Sequence, residues 1–458
     1  MTGIAFAMLL TAALAGYMMN RRAALALRDG GQRLHSLGMF HGMYAALAVL
    51  VPAIIVTLLW LALQSSVIDA IIMSGLPDGA TENVDTGMVQ LIKSEIHSIA
   101  RGRVFGTPEP WKIEAAERLN ALQAMAGWLL LAVVALISAA ALFVTRRSVA
   151  SEFRARQAVE RIIYGLLIAC SLFAIFVTVG IVLSLVFESI RFFQMVPITE
   201  FLFGTSWEPQ IPIRADQIAA EGAFGWIPVL LGTLVITFVA ITISVPVGLM
   251  SAIYLNEFAS PGFRGIAKPL LEILAGIPTV VYGFFAILTV APAIRAWGAA
   301  LGIPVAPNTA LAAGGVMAIM LIPFISSFAD DALSAVPRSL RDGSMALGAT
   351  RSETVLKVLF PAAIPGIVGG VLLAISRAIG ETMIVVMAAG LIAKMTINPL
   401  DSVTTVTVQI VTLLIGDTAF DSPKTLAAFA LGLMLFIVTL MINIVALRVV
   451  RKYRELYD

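Results

Sequence analysis

Residues 330–366 read DDALSAVPRSLRDGSMALGATRSETVLKVLFPAAIPG, a polar and patterned stretch between two long apolar runs. Pro337 punctuates its start, and Gly348 can end a first short helix at little steric cost. Thr350 followed by Glu353 has the spacing of a capping box, opening a second helix that carries Val355, Leu356, Leu359 and Phe360. Pro361 is expected to stop that helix at the membrane. Two short helices across a glycine turn form a compact, rigid knob, and such a knob can transmit a push.

The flanks of this stretch set the class of protein. The chain of 458 residues is 59% hydrophobic and 13% charged, against about 45–50% and about 25% in soluble proteins. Spans need roughly 20 apolar residues each. Nine candidates fit: Ile4–Met19, Gly42–Leu63, Leu122–Thr145, Ile162–Phe187, Trp226–Leu255, Pro269–Val290, Thr309–Phe328, Ala362–Ala393 and Thr425–Leu447. The first lacks a basic n-region, and Arg21 and Arg22 follow it, so it is expected to be a retained anchor. The fold class is therefore an all-α integral membrane protein.

Orientation follows the basic residues. Arg21, Arg22, Arg28 and Arg33 cluster after the first span, Arg146, Arg147, Arg154, Arg156 and Arg161 after the third, and Arg448, Arg451, Lys452 and Arg454 in the tail. Between them, 64–120 has eight acids against five bases and 188–225 has five against two. Nine spans with the amino terminus outside place every basic stretch, and the carboxyl terminus, in the cytoplasm. Residues 1–160 thus form a three-span extension with an extracytoplasmic insert at about 64–120, and 161–458 hold six spans. Within the insert, MVQLIKSEIHSIARG (88–102) repeats Met88, Leu91, Ile92, Ile96 and Ile99 near helical spacing. Its plain reading is a helix capping its own small domain.

Enzyme chemistry has little footing. The chain has no G-x-x-x-x-G-K-[ST], H-E-x-x-H or G-x-S-x-G pattern, and three histidines with one cysteine rule out most metal sites and any intrachain disulfide, so no metal is expected. Cys170 is expected to be a small helix-packing residue. Uphill transport would need a gradient or a separate ATPase.

A second stretch, VGGVLLAISRAIGETMIVVMAAG (368–390), carries charge inside an apolar span. Arg377 and Glu381 are four apart, hence expected on one face of one helix. Gly366, Gly370 and Gly380 favour close packing with neighbouring helices. An Arg at bilayer centre costs about 2.5–3.5 kcal/mol on insertion scales and usually faces a protein interior or an aqueous path. Two readings stand: an ion pair that fixes helix register, and a pair lining a translocation route. The second is preferred, because a guanidinium fork suits a tetrahedral oxyanion and a nearby carboxylate would ease its release.

The knob resembles the E-A-A-x-x-x-G-x(9)-I-x-L-P loop of ABC importer permeases. Asp342, Gly343 and Ser344 stand at E-A-A, Gly348 at the glycine, and Val358-Leu359-Phe360-Pro361 at the closing motif. The run Arg377-Ala378-Ile379-Gly380-Glu381-Thr382-Met383 is similar to the oxyanion branch, and specifically to PstC-type phosphate permeases. FGTSWEPQ (203–210), GTLVITFVAITISVPVGLMSAIYLNEFA (232–259) and LLEILAGIPTVVYGFFAILTVAP (270–292) extend that resemblance over about 161–458.

The resemblance implies a type I ABC importer permease core of about six spans in the inner membrane, importing phosphate. It implies a non-catalytic subunit, without cofactor of its own, since ATP is bound by a partner. The implied partners are a PstA-like permease, PstB-like ATPase subunits and a PstS-like binding protein. Arg377, Glu381, Thr382 and Ser376 would line the substrate pathway. Asp342, Gly343, Ser344, Gly348 and Pro361 would couple to the ATPase. The outer loop near Trp207 and Glu208 would face the binding protein, or Trp207 would be an interfacial anchor. Gly276 and Pro278 are expected to kink the sixth span. The alternatives are a sulfate, molybdate or tungstate permease, a phosphate-sensing membrane component, and a gradient-driven transporter that would leave the knob without purpose.

Overall fold

The computed structural model describes residues 1–77, 86–103, 108–209, 222–415 and 422–454. Among them, nine helices are long and apolar enough to cross a membrane, one for each expected span. The chain divides into two compact units, Met1–Phe176 and Val177–Asp458.

In the first unit, α1 (Thr2–Asp29), α2 (Gly38–Ser74) and α4 (Pro110–Arg147) pack through Ala5, Leu9, Ala53, Leu130 and Val134. Small residues set the approach: a Cβ on Gly42 would lie 2.8 Å from the Tyr17 carbonyl oxygen, and one on Gly16 2.6 Å from Leu142. Both α2 and α4 outrun the expected apolar spans, and α3 (Thr86–Ala100) lies against their extensions. Its buried stripe is Ile92 and Ile96, while Met88 and Leu91 are exposed. The helical period of 88–102 was legible, but only part of its apolar set faces inward. Polar bonds fix α3: His97 and Lys93 both hold the buried carboxylate of Asp69, and Lys112 reaches Glu95 at 2.7 Å. The unit ends inside α5 (Ala155–Met195), where Cys170 is exposed and does not pack between helices.

The second unit continues α5 into α6 (Ile198–Phe203) and a minimal antiparallel pair, β1 (Trp207–Glu208) with β2 (Ala223–Phe224). Then come α7 (Ile227–Ile253), ending in a π-helical turn at Tyr254–Phe258, and the short α8 (Pro261–Ala275). A further span is made of α9 (Thr279–Phe285), a π turn and α10 (Ala291–Leu301). The expected kink at Gly276 and Pro278 is a complete break, because Pro278 has no N–H to continue the ladder and restricts Ile277 before it. The sixth span starts at Thr279, not Pro269.

The central helix is α11 (Ala310–Ser334), whose buried face packs on α7. A Cβ on Gly314 would sit 2.7 Å from Val239, so the two backbones meet where only glycine fits. After it come α12 (Arg338–Ala346), α13 (Arg351–Thr354), a π turn at Val355–Leu359 and α14 (Phe360–Ile379). Gly370 and Gly366 set α14 on α11, with added Cβ atoms 2.6 Å from Phe328 and 2.7 Å from Ala332. The chain finishes with α15 (Met383–Ala388), α16 (Val406–Leu414) and α17 (Pro423–Arg454).

Candidate functional site

Two places in the second unit hold the residues singled out in the sequence. The first is the knob. Pro337 opens α12, and Gly348 closes it at φ +88°. Ala349 N–H donates to Ser344 O (3.2 Å) and Gly348 N–H to Met345 O (3.0 Å), the paired bonds of a glycine helix end. The capping box forms as expected: Glu353 N–H donates to Thr350 Oγ1, and Thr350 N–H to Glu353 Oε2. Asp342 and Gly343 are exposed, and the Ser344 hydroxyl lies 3.0 Å from that of Thr354.

Pro361 does not stop the second helix. The chain is helical from Arg351 through to Ile379, because the π turn at Val355–Leu359 changes the hydrogen-bond step just before the proline, with Phe360 N–H on Val355 O. One arm of the knob is therefore short and the other is the root of a membrane span. The knob presents an uncovered apolar surface: Leu347 is 92% exposed, and Leu340, Met345 and Leu356 are also exposed.

The second place is the charged stretch of the eighth span. Arg377 and Glu381 do not share one helix. Gly380 caps α14, residues 380–382 leave the helix, and α15 begins at Met383. Arg377 lies in the last turn of α14, exposed, with its guanidinium 5.7 Å from the Phe324 ring centre and no acid within ion-pairing distance among the described residues. The half-buried Glu381 directs its carboxylate at backbone: Oε1 accepts from Met383 N–H (3.0 Å) and Ile384 N–H (3.4 Å). Each charge thus sits at the helix end whose dipole favours it, the cation at a C-terminus and the anion at an N-terminus. The register-fixing ion pair is not formed. Thr382 folds back on Gly380 O at 3.4 Å, and Ser376 is half-buried, its carbonyl receiving Gly380 N–H.

A buried polar network, missed in the sequence, holds this break. Thr407 donates to Glu381 O at 2.8 Å, next to the N-cap residue Thr405 of α16. Gln409, 5% exposed, accepts from Trp207 Nε1 (2.9 Å) and donates to Leu391 O (2.9 Å) and Thr404 Oγ1 (3.0 Å). Trp207 is therefore neither a membrane-interface anchor nor a docking residue. It is buried with Phe192, Phe201, Phe224 and Trp226. A glutamine inside the apolar run VTVQIVTLL (406–414) was the available signal.

At the opposite end of α7, Asp330 is almost fully buried. It accepts from Arg264 (2.9 and 3.1 Å), Lys268 (2.7 Å) and Asn256 (2.6 Å). The neighbouring Glu257 is equally buried and pairs with Arg341 of the knob.

A family model described as a binding-protein-dependent transport system inner membrane component matches residues 244–455. Another, described as a phosphate ATP-binding cassette transporter, matches residues 6–177. The probable ABC transporter permease protein YqgH of Bacillus subtilis is 32% identical over 274 residues, 59% of this chain and 84% of the relative. The phosphate transport system permease protein PstC 1 of Mycobacterium tuberculosis is 32% identical over 278 residues, 55% of this chain and 81% of the relative. The PstC protein of Haemophilus influenzae is 32% identical over 307 residues, 62% of this chain and 92% of the relative.

Proposed function

The chain belongs to the PstC-type family of ABC importer permeases, and on that premise we propose that it is the membrane-translocation subunit of an ATP-driven inorganic phosphate importer. It is a multi-pass inner-membrane protein with the type I permease core, and a non-catalytic subunit of a complex with an ATPase and a substrate-binding protein. In our reading the partners are a PstA-like permease, PstB-like ATPase subunits that bind the ATP, and a PstS-like binding protein. The amino terminus lies outside and the carboxyl terminus in the cytoplasm, as the basic stretches require. Residues 1–160 form an extension with an outer insert at 64–120, and 161–458 the permease domain. The names of the relatives favour phosphate over sulfate, molybdate or tungstate.

One observation supports the pathway assignment above the others: Arg377 is exposed and without an acid partner among the described residues, while Glu381 spends its carboxylate on backbone N–H groups. A guanidinium so placed keeps its planar fork for a bidentate oxyanion. Glu381, one short non-helical step away, supplies the repulsion that keeps the hold weak. Ser376 and Thr382 add hydroxyls beside it. Asp342, Gly343, Ser344, Gly348 and Pro361 belong to the knob that seats on the ATPase, with Leu347 as its apolar tip.

The test is phosphate uptake into proteoliposomes holding the assembled transporter. Arg377→Gln is expected to abolish uptake while the ATPase subunits still co-purify, and Arg377→Lys to keep part of it. Normal uptake by Arg377→Gln would remove Arg377 from the pathway. Competition by sulfate and molybdate in the same vesicles checks the choice of anion.

A further inference from the structure

The second arm of the knob packs Val355 and Leu359 against Ala252 of α7 and Leu333 of α11, whereas its first arm, α12, is tied to the rest of the unit by polar bonds. No residue of α12 is buried, and its large apolar side chains, Leu340 and Met345, point outward. Ser344 meets Thr354, which is still within the loop. Among the described residues, the one α12 side chain bonded to an element outside the loop is Arg341, on Glu257.

Glu257 lies in the π turn that ends α7, and a π turn inside a span often marks a working site. Two successive side chains of that turn grip the two elements flanking Pro337. Asn256 donates to Asp330 Oδ1 (2.6 Å) and Ser334 Oγ (2.8 Å) on α11, and Glu257 accepts from Arg341 on α12. The Arg341 grip is made at one terminal nitrogen, while its Nε is buried without an acceptor.

The other end of α7 reaches the broken span. Thr233 Oγ1 accepts from Val406 N–H at 3.1 Å, and a Cβ on Gly232 would lie 2.1 Å from Thr404 O, so backbone meets backbone there. Val406 is followed by Thr407, whose hydroxyl holds Glu381 O. From Thr233 to Ile253 the helix covers about 30 Å.

We propose that α7 is the rod that carries motion of the knob to the Arg377–Glu381 break, with Arg341–Glu257 as its latch and Thr233–Val406 as its far joint. This rests on the reading of the knob as the ATPase seat. The route consists of one ion pair, one helix that carries Pro246 inside it and two hydrogen bonds, and the ion pair and each hydrogen bond are breakable by one substitution. Glu257 and Arg341 are positioning residues: they lie at the knob end of the rod and act on the anion only through α7.

The experiment uses the complete transporter in proteoliposomes, reading ATP hydrolysis, co-purified ATPase and phosphate moved per ATP. Glu257→Gln is expected to lower phosphate moved per ATP severalfold, with ATPase binding retained. The exchanged pair, Glu257→Arg with Arg341→Glu, is expected to recover most of the loss, which a merely structural role would not do. Thr233→Val is expected to uncouple in the same direction from the far end. Unchanged phosphate per ATP in Glu257→Gln overturns the proposal. If that variant fails to assemble, the exchanged pair decides: coupled transport supports the latch, and uncoupled transport overturns it. Leu347→Glu separates the two readings. Normal ATPase co-purification in that variant counts against the knob as the seat, whereas loss of co-purification there with normal coupling in Glu257→Gln counts against the rod alone.

Discussion

Asp330 permits a prediction in which the side of an ion cluster that is removed decides the outcome. Its side chain is 7% exposed, whereas its two cationic partners, Arg264 and Lys268, are each 36% exposed. Asp330→Asn removes the acid and leaves two cations that water already reaches. The loss is then that of charged hydrogen bonds tempered by solvent, about 1–2 kcal/mol. Arg264→Gln with Lys268→Gln does the reverse. It leaves a carboxylate in a nearly dry place with Asn256 as its charge-neutral donor, a loss of about 3–5 kcal/mol. The double variant is therefore expected to be the less stable of the two, although each removes the same ion pairs. Thermal unfolding of the purified protein in detergent, followed by tryptophan fluorescence, reads the order directly. The midpoint is expected to fall from wild type to Asp330→Asn to the double variant, with little dependence on salt because the acid is screened from ions. Equal midpoints for the two variants, or Asp330→Asn the lower, would refute the reasoning from burial.

Two further outcomes follow from local geometry. Gly348 has φ +88° and open space around a Cβ, so Gly348→Ala meets only the backbone penalty of about 1–2 kcal/mol. It is expected to loosen the knob and reduce ATPase co-purification, with Gly348→Asn milder, and a pull-down against the purified ATPase subunit checks this. Thr407→Val keeps shape but leaves the part-buried Glu381 O without its 2.8 Å donor, a loss of about 0.5–1.5 kcal/mol. It is expected to slow phosphate uptake with binding of the ATPase unchanged, whereas uptake at the normal rate would free the break from Thr407.

The apolar runs match, one for one, the described helices long and apolar enough to cross a membrane, because a helix satisfies its own backbone groups in the absence of water. They were a poor guide to where helices end. Hydropathy stops at Leu63 and resumes at Leu122, yet α2 runs to Ser74 and α4 begins at Pro110, since the extensions are amphipathic and pack on α3. Local chemistry was dependable where the signal is short range. The box at Thr350 and Glu353, the left-handed Gly348 and the close approaches at Gly366 and Gly370 all depend on residues or on a missing side chain at one point. Pro361 misled because a proline does not always end a helix: Pro246, Pro323 and Pro365 also lie inside helices here, and at Pro361 the π turn before it, which had no signature in the sequence, changes the hydrogen-bond step. Gln409 and Trp207 are 202 positions apart, so no local pattern connects them.

The largest departure, the break at Gly380, explains how the span tolerates its charges. An unbroken helix over 362–393 would place Arg377 and Glu381 on one face, where they neutralise each other and the cation has no capacity left for an anion. Breaking the helix between them gives each charge a helix end: the last turn of α14 for Arg377, the first N–H groups of α15 for Glu381. The charges are stabilised separately, and the guanidinium keeps its donors. The break in turn needs a partner for the freed Glu381 carbonyl, which Thr407 supplies from a segment fastened to α7 by Thr233. In the proposed pathway, an anion held weakly at Arg377 and released when α7 moves would need both this separation of charges and a joint to α7, and Thr233, Val406 and Thr407 lie where such a joint would be.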